Sequence, residues 1–306
     1  TQTGVHSYEV QLPSHSLGGQ EAFELVLKTK SGILHIPSNM LSNVTVNTEQ
    51  VSIHIETDTV AELNSVDRER IGSRPVINLR LTAGDRAIAW SNPKAPVTVE
   101  IPYTSTTGEL SHQIVAWYID SNGRISSIPN SQYNASSEAV VFQTTHFGTY
   151  AVAYVSHVFG DLASVPWATQ AIQHMAARDV IEGTAENRFS PETSITRADF
   201  VALLVRALEL RGSENPTATF SDVETNAYYR DTLDVAHSLG IVSGFADGTF
   251  KPNNPISRQD MMTLAARALS AAGKSAAGSG SLTAYRDAAS VSGYAADSVE
   301  ALVSAG

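Results

Sequence analysis

Ile195-Thr196-Arg197-Ala198-Asp199 recurs as Ile256-Ser257-Arg258-Gln259-Asp260, 61 residues further on. The register extends outward without a gap. Backward, Phe189 and Pro191 meet Phe250 and Pro252, Gly183 meets Gly244, Trp167 meets Tyr228, and Phe159 and Asp161 meet Phe220 and Asp222. Forward, Leu203 meets Leu264 and Arg206-Ala207-Leu208 meets Arg267-Ala268-Leu269. Chance does not give such a run in one ungapped register, so the C-terminal half is a tandem repeat. Tyr285-Arg286-Asp287 opens a third copy, followed by Tyr294 and an apolar helical stretch, and the sequence stops at Gly306 before that copy's second half. Gly273 to Gly280 reads as a Gly/Ser/Ala linker between the second and third copies.

Each copy reads as an aromatic-x-Asp turn, a first helix, a Gly-containing loop ending in Phe-x-Pro, and a second helix. Val201, Leu204, Val205 and Leu208 fall on one face of that second helix. Thr196 with Asp199, and Ser257 with Asp260, have the spacing of capping boxes: a hydroxyl at the N-cap and a carboxylate three residues on. Arg197 and Arg258 then occupy the first helical position. The positive helix end repels a cation there, so both are expected to point outward. One helix pair cannot bury its apolar stripe alone, so copies must pack on one another.

These motifs are similar to surface-layer homology (SLH) repeats: F-x-D-L/V, a following Trp or Tyr, G-x(5)-F-x-P, and I-T-R-A-D, which stands close to the family's I-T-R-A-E. The likeness covers about half of the chain. It implies modules in threes, arranged as a pseudo-threefold helical prism whose grooves bind secondary cell-wall polymer, often through pyruvylated N-acetylmannosamine. It implies non-covalent anchoring outside Gram-positive-type cells, with peptidoglycan-linked glycan and surface-layer proteins as neighbours. Arg197 and Arg258 would meet the pyruvyl carboxylate. Asp161, Asp222 and Asp287 would bond sugar hydroxyls or amides, and Trp167 and Tyr228 would line the groove. Gly183 and Gly244 are grouped with them, although backbone conformation is their simplest duty. Competing readings stand beside these: Asp199 and Asp260 as caps, Trp167 and Tyr228 as core anchors, Asp161 and Asp222 as turn ties, and an inter-copy salt bridge for the arginines. The absent half-copy puts threefold closure in doubt.

Residues 21–156 have a different texture, rich in Val, Ile, Thr and Ser with period-two alternation. Strands are expected at Phe23–Leu27, Val51–Ile55, Val76–Leu81, Val97–Ile101, Ile114–Ile119, Arg124–Ile128, Val140–Phe142 and Tyr150–Val155. Asp120-Ser121-Asn122-Gly123 supplies a hairpin loop. Their spacing predicts an antiparallel β-sandwich, so the fold class is a β unit followed by helical repeats. The expected divisions are a poorly ordered 1–20, a spacer or adhesion module over 21–156, SLH copies at 157–212 and 218–273, a linker at 274–283, and a truncated copy at 284–306. The β module resembles those often found just before SLH repeats. Thr145-His146-Phe147-Gly148-Thr149 has a fainter likeness to the end of self-cleaving sandwich domains. Those need a nucleophile two residues after the histidine, where this chain has Gly148, so autoproteolysis is not expected and His146 reads as a packed or surface histidine.

Composition narrows the function. At 306 residues, and roughly 100–200 per domain, two or three domains are expected. Twenty basic against 31 acidic side chains give a net charge of −11, which disfavours a bulk nucleic-acid or anionic-lipid surface. Residues 157–306 alone carry −6, so an acidic polymer would need local cationic spots. There is no cysteine, hence no disulfide, thiolate metal site or cysteine nucleophile. No apolar run reaches membrane-spanning length and no leader is visible at Thr1, which predicts a processed or partial chain without membrane insertion. G-x-S-x-G, H-E-x-x-H, P-loop and dinucleotide fingerprints are absent, so no enzyme, metal or cofactor is expected. The Asp120 loop resembles the start of a calcium loop but carries Ser131 at the twelfth position. Beside the anchor reading stand two alternatives: a lattice or adhesion protein whose repeats make protein contacts, and the tail of a surface polysaccharide-degrading enzyme with its catalytic domain upstream.

Overall fold

The computed structural model describes residues 7–19, 21–59, 63–212, 220–274 and 281–305. The alternating segments form β1 (Ser7–Pro13), β2 (Glu24–Lys28), β3 (Ile33–Pro37), β4 (Gln50–Thr57), β5 (Val76–Ala83), β6 (Arg86–Ile88), β7 (Val97–Pro102), β8 (Ile114–Ile119), β9 (Ile125–Ser127), β10 (Gln132–Asn134), β11 (Ala139–Thr144) and β12 (Thr149–Tyr154). All strand pairings among the described residues are antiparallel. One sheet runs β1-β4-β5-β12-β8-β9 with β6 on β5; the other runs β10-β11-β7-β3-β2. Period two places Val97, Val99 and Ile101 inward and Thr98 and Glu100 outward on β7. The inward rows of both sheets form one core with Leu34, Ile36, Ile53, Phe142 and Tyr150. Tyr150 also closes a corner, its hydroxyl donating to the His146 carbonyl at 2.5 Å. His146 itself stands edge-on to Tyr118, at 4.5 Å between ring centres.

The expected strands are all present, and the sandwich has more. β1, β3, β6 and β10 add to them, as does α1 (Ser65–Ile71), capped by Asn64. The expectation of a loose N-terminus is corrected: β1 pairs with β4 from Ser7↔Glu56 to Pro13↔Gln50. The rest of that expected segment, residues 1–6 and 20, lies outside the described residues.

β8 and β12 are buried on both faces, because the outer side of their sheet carries a second core of Ile71, Val115, Trp117, Ala151, Ala153 and Ala177. Ala177 ends α2 (Thr169–Ala177), the first helix of the first copy. Contacts accordingly divide the chain into Thr1–Asp179 and Val180–Gly306, not at the change of texture near Ser156. Arg178, only 1% exposed, explains the shift. Its guanidinium donates to the carbonyls of Ser131 (2.8 Å), His112 (2.8 Å), His174 (3.0 Å) and Ile114 (3.4 Å).

The second unit contains α3 (Arg197–Ala207), α4 (Arg230–Ser238), α5 (Arg258–Ala271) and α6 (Ala296–Ala305). α3 packs on α4 and α5 packs on α6. Each pair therefore joins the second helix of one copy to the first helix of the next, and the packed unit is offset from the sequence repeat. Ala198, Val201, Val205, Leu233, Ile241, Phe250, Leu264 and Ala268 form its core. Residues 275–280 of the expected linker lie outside the described residues.

Candidate functional site

The start of α3 determines the local geometry. Thr196 caps the helix, its hydroxyl oxygen accepting from the Asp199 amide at 3.1 Å; Ser257 does the same for Asp260 at 3.2 Å. These are the predicted N-caps. The next amides do not face water. Arg197 and Ala198 donate to the carbonyls of Asn254 (3.0 Å) and Pro252 (3.1 Å) in the following copy's loop. That seam buries the Arg197 side chain, which corrects the expectation that it points outward. Its Nε donates to the Phe250 carbonyl at 3.1 Å, and Nη1 lies 3.5 Å from Asp260 Oδ2. The guanidinium carbon sits 5.0 Å from the Phe245 ring centre and 5.1 Å from that of Phe250. Burial pulls its pKa below the ordinary value, and Asp260 opposes the pull. Two rings, a carbonyl and a carboxylate replace the solvent that the helix dipole would otherwise favour.

Phe245 carries a second cation. Lys251 Nζ lies 4.2 Å from its centre and 3.8 Å from Asp247 Oδ2. Hydrogen bonds from the Thr249 hydroxyl and amide hold Asp247 below the usual carboxylate range. Lys251 has a positive φ of 58°, a strained conformation for a side-chain-bearing residue. Asp222 holds it there: its two carboxylate oxygens accept the Phe250 and Lys251 amides, each at 2.8 Å. Asp222 is thus a loop clamp, as the turn-tie reading anticipated. Gly244 is likewise conformational. Its φ is 72°, and a Cβ there would meet Phe220 Cε1 at 2.4 Å.

Tyrosines link successive copies. The Tyr228 hydroxyl donates to Asp199 Oδ1 at 2.5 Å, and the Tyr294 hydroxyl to Asp260 Oδ1 at 2.7 Å. Burial, then the bond to Asp199, pushes the Tyr228 hydroxyl up to about 12. Both rings remain exposed, so Tyr228 is not a core anchor. Phe245 therefore meets Arg197 from the first copy and Lys251 from the second, and Arg197 leads through Asp260 of the second copy to Tyr294 of the third. Arg197 Nη2 forms no hydrogen bond among the described residues.

The other expected site residues are dispersed. Arg258 and Asp287 are exposed, and their side chains have no hydrogen bond or ion pair among the described residues. Trp167, in the first unit, is 85% exposed. Asp161 precedes a 3₁₀ turn at Leu162–Ser164 and forms no side-chain cap to it. Gly183 is exposed in the first copy's loop. That loop has Thr184 where the second copy has Phe245 and Ser190 where it has Lys251, so those two positions hold no ring and no cation, and its own ring and cation, Phe189 and Arg188, stand elsewhere in the register. Phe245 and Lys251 escaped the sequence reading. The signal available was their presence in one loop and absence from its counterpart. Among the described residues no group of three His, Cys, Asp or Glu side chains could hold a metal, and no helix is long and apolar enough to cross a membrane.

Residues 158–201 and 219–262 match the model of the S-layer homology domain. The chain is similar to an amylopullulanase of Thermoanaerobacterium thermosulfurigenes, 29% identical over 56% of this chain and 9% of that protein. It is similar to an endoglucanase of Bacillus sp. (strain KSM-635), 33% identical over 46% of this chain and 15% of that one. It is also similar to the surface-layer 125 kDa protein of Lysinibacillus sphaericus, 29% identical over 46% of this chain and 11% of the relative. The matched stretches are thus a small part of each relative's length. The chain carries two S-layer homology domains behind an antiparallel β unit, and these domains mark it as a cell-surface, cell-wall-associated protein.

Proposed function

We propose that the chain is a non-covalent cell-wall anchor that holds an acidic secondary cell-wall polymer in the cleft around Phe245. The observation that carries this reading is the pair of cations on one ring, Arg197 and Lys251, with an exposed tyrosine beside them. A carboxylate on a sugar ketal accepts from the spare Arg197 donor and from the Lys251 ammonium, both already oriented. The sugar's apolar face lies on Phe245 and Tyr294, and Asp247 and Asp260 accept its hydroxyls. A pyruvylated aminosugar has that combination of groups. The net charge of −6 over residues 157–306 gives no long-range attraction for such a polymer, so recognition rests on this local geometry. Arg258 supplies a further exposed contact. The segment does no chemistry in this reading, and catalytic cargo or surface-layer neighbours joined to it would leave its role unchanged.

The test is co-sedimentation of the whole chain with purified cell-wall sacculi, before and after chemical removal of pyruvate. Binding is expected to be lost with the pyruvate. Lys251→Ala is expected to weaken sedimentation by about tenfold, one charge-assisted contact, with an unchanged melting temperature. Equal sedimentation of the chain with depyruvylated walls overturns the proposal.

A further inference from the structure

We infer that β2 is a docking edge for a second copy of this chain, the two β2 strands pairing antiparallel about Val26. β2 ends its sheet: it pairs with β3 on one side and with no strand among the described residues on the other. In an antiparallel ladder alternate residues bond to one neighbour, and the residues between them face the opposite edge. Two bonds flanking β2 fix which are which. The Ser38 amide donates to the Phe23 carbonyl, and the Thr29 amide to the Gly32 carbonyl, each at 3.0 Å. Counting by two between Phe23 and Thr29, Leu25 and Leu27 bond to β3. Glu24, Val26 and Lys28 therefore hold their amides and carbonyls toward the open edge.

That edge is self-complementary. Glu24-Leu25-Val26-Leu27-Lys28 is symmetric about Val26 in its apolar residues and opposite in charge at its two ends. A twofold axis at Val26 sets Val26 against its own counterpart, Glu24 against Lys28 and Lys28 against Glu24. All three belong to the set that faces the open edge, so each pair exchanges two backbone hydrogen bonds. Moving the axis onto Glu24 or Lys28 sets like charges opposite each other, which is unfavourable. An edge lysine ordinarily discourages a second strand; here the other copy's Glu24 answers it. The Lys28 side chain is exposed and has no hydrogen bond or ion pair among the described residues. Val26 is 38% exposed, and Leu25 and Leu27 only partly enter the sandwich core. Pairing covers all three and joins two five-stranded sheets through an isologous contact. β1, the other long edge strand, closes with Pro13, which has no amide to donate.

The test is sedimentation equilibrium of the full chain from about 1 μM to about 1 mM, the span over which a small interface associates. A dimer is expected. The Val26 amide is free within its own sheet, so Val26→Pro leaves that sheet's ladder intact and is expected to weaken dimerisation at least about tenfold. Glu24→Lys and Lys28→Glu are each expected to weaken it by a similar factor, and the double swap to restore it. The swaps leave the backbone alone, so they decide the matter even where circular dichroism shows Val26→Pro unfolded. A chain that stays monomeric throughout, a dimer that survives a folded Val26→Pro, or a double swap that associates no better than the single ones overturns the inference.

Discussion

Arg197 and Arg258 occupy the same position in two copies of one motif, so they form an internally controlled pair. Replacing Arg197 by Ala removes a charged hydrogen bond to a buried carbonyl, about 1.5–3 kcal/mol. It also removes contacts to two rings, about 0.5–2 kcal/mol, and a partly exposed 3.5 Å ion pair, at most about 1 kcal/mol. These terms overlap, since they share one guanidinium, and a total of about 3 kcal/mol is expected. For a unit the size of Val180–Gly306, that lowers the melting temperature by roughly 10 °C. Arg258→Ala removes an exposed side chain without a partner among the described residues, and a shift of about 1 °C or less is expected. Differential scanning calorimetry of the whole chain, with the helical transition followed by far-ultraviolet circular dichroism, measures both. Equal shifts, in either size, would refute the argument that the seam between copies gives the two arginines different jobs.

Two further outcomes follow from the same coordinates. His174 lies near Arg178 at the end of α2; burial first, then the Arg178 charge, lowers its pKa to about 4. A histidine kept neutral on folding is more readily protonated in the unfolded chain, so stability holds above about pH 6.5 and falls between there and pH 4. His174→Gln is expected to flatten that slope in melting temperature against pH, and an unaltered slope would count against it. Gly244→Ala combines a left-handed backbone with a 2.4 Å approach to Phe220 and is expected to cost about 3 kcal/mol. Gly248→Ala, with a φ of 78° and open space around it, is expected to cost about 1 kcal/mol, so equal losses in chemical denaturation would discount the packing term.

Much of this architecture is written in the order of the residues. Alternation marks the central strands because both faces of a sandwich strand obey period two, and the repeat register marks the helices, loops and caps. β1 was harder to read: Tyr8, Val10 and Leu12 alternate correctly, but only pairing with β4 distinguishes a terminal strand from a loose end. α1 has too few apolar positions for a helical period and is signalled mainly by its Asn64 cap. The arginines show the limit of local reasoning. The helix dipole alone sends Arg197 outward, and what reverses the outcome is the carbonyl and two rings of a loop more than forty residues later. Arg178 looks like a surface residue at a helix end until its acceptors, lying up to 66 positions away, are seen.

The offset between sequence repeat and packed unit bears on how binding would work. The cleft around Phe245 draws its side chains from three successive copies, and two of the contributions are also links in the seam, Arg197 to Phe250 and Tyr294 to Asp260, while Asp222 clamps Lys251 within the second copy. A polymer seated there would touch the groups that keep the copies together. It would bind the assembled seam and not the separated copies, so occupancy would add RT ln(1 + [L]/Kd) to the cohesion of the array. The dependence runs both ways: any load or substitution that opens the seam dismantles the cleft, and tethering strength and helical stability rise and fall together. Two copies of one motif therefore would not make two equivalent sites, because such a site would belong to a junction, and the first loop has Thr184 and Ser190 at the positions where the second has Phe245 and Lys251.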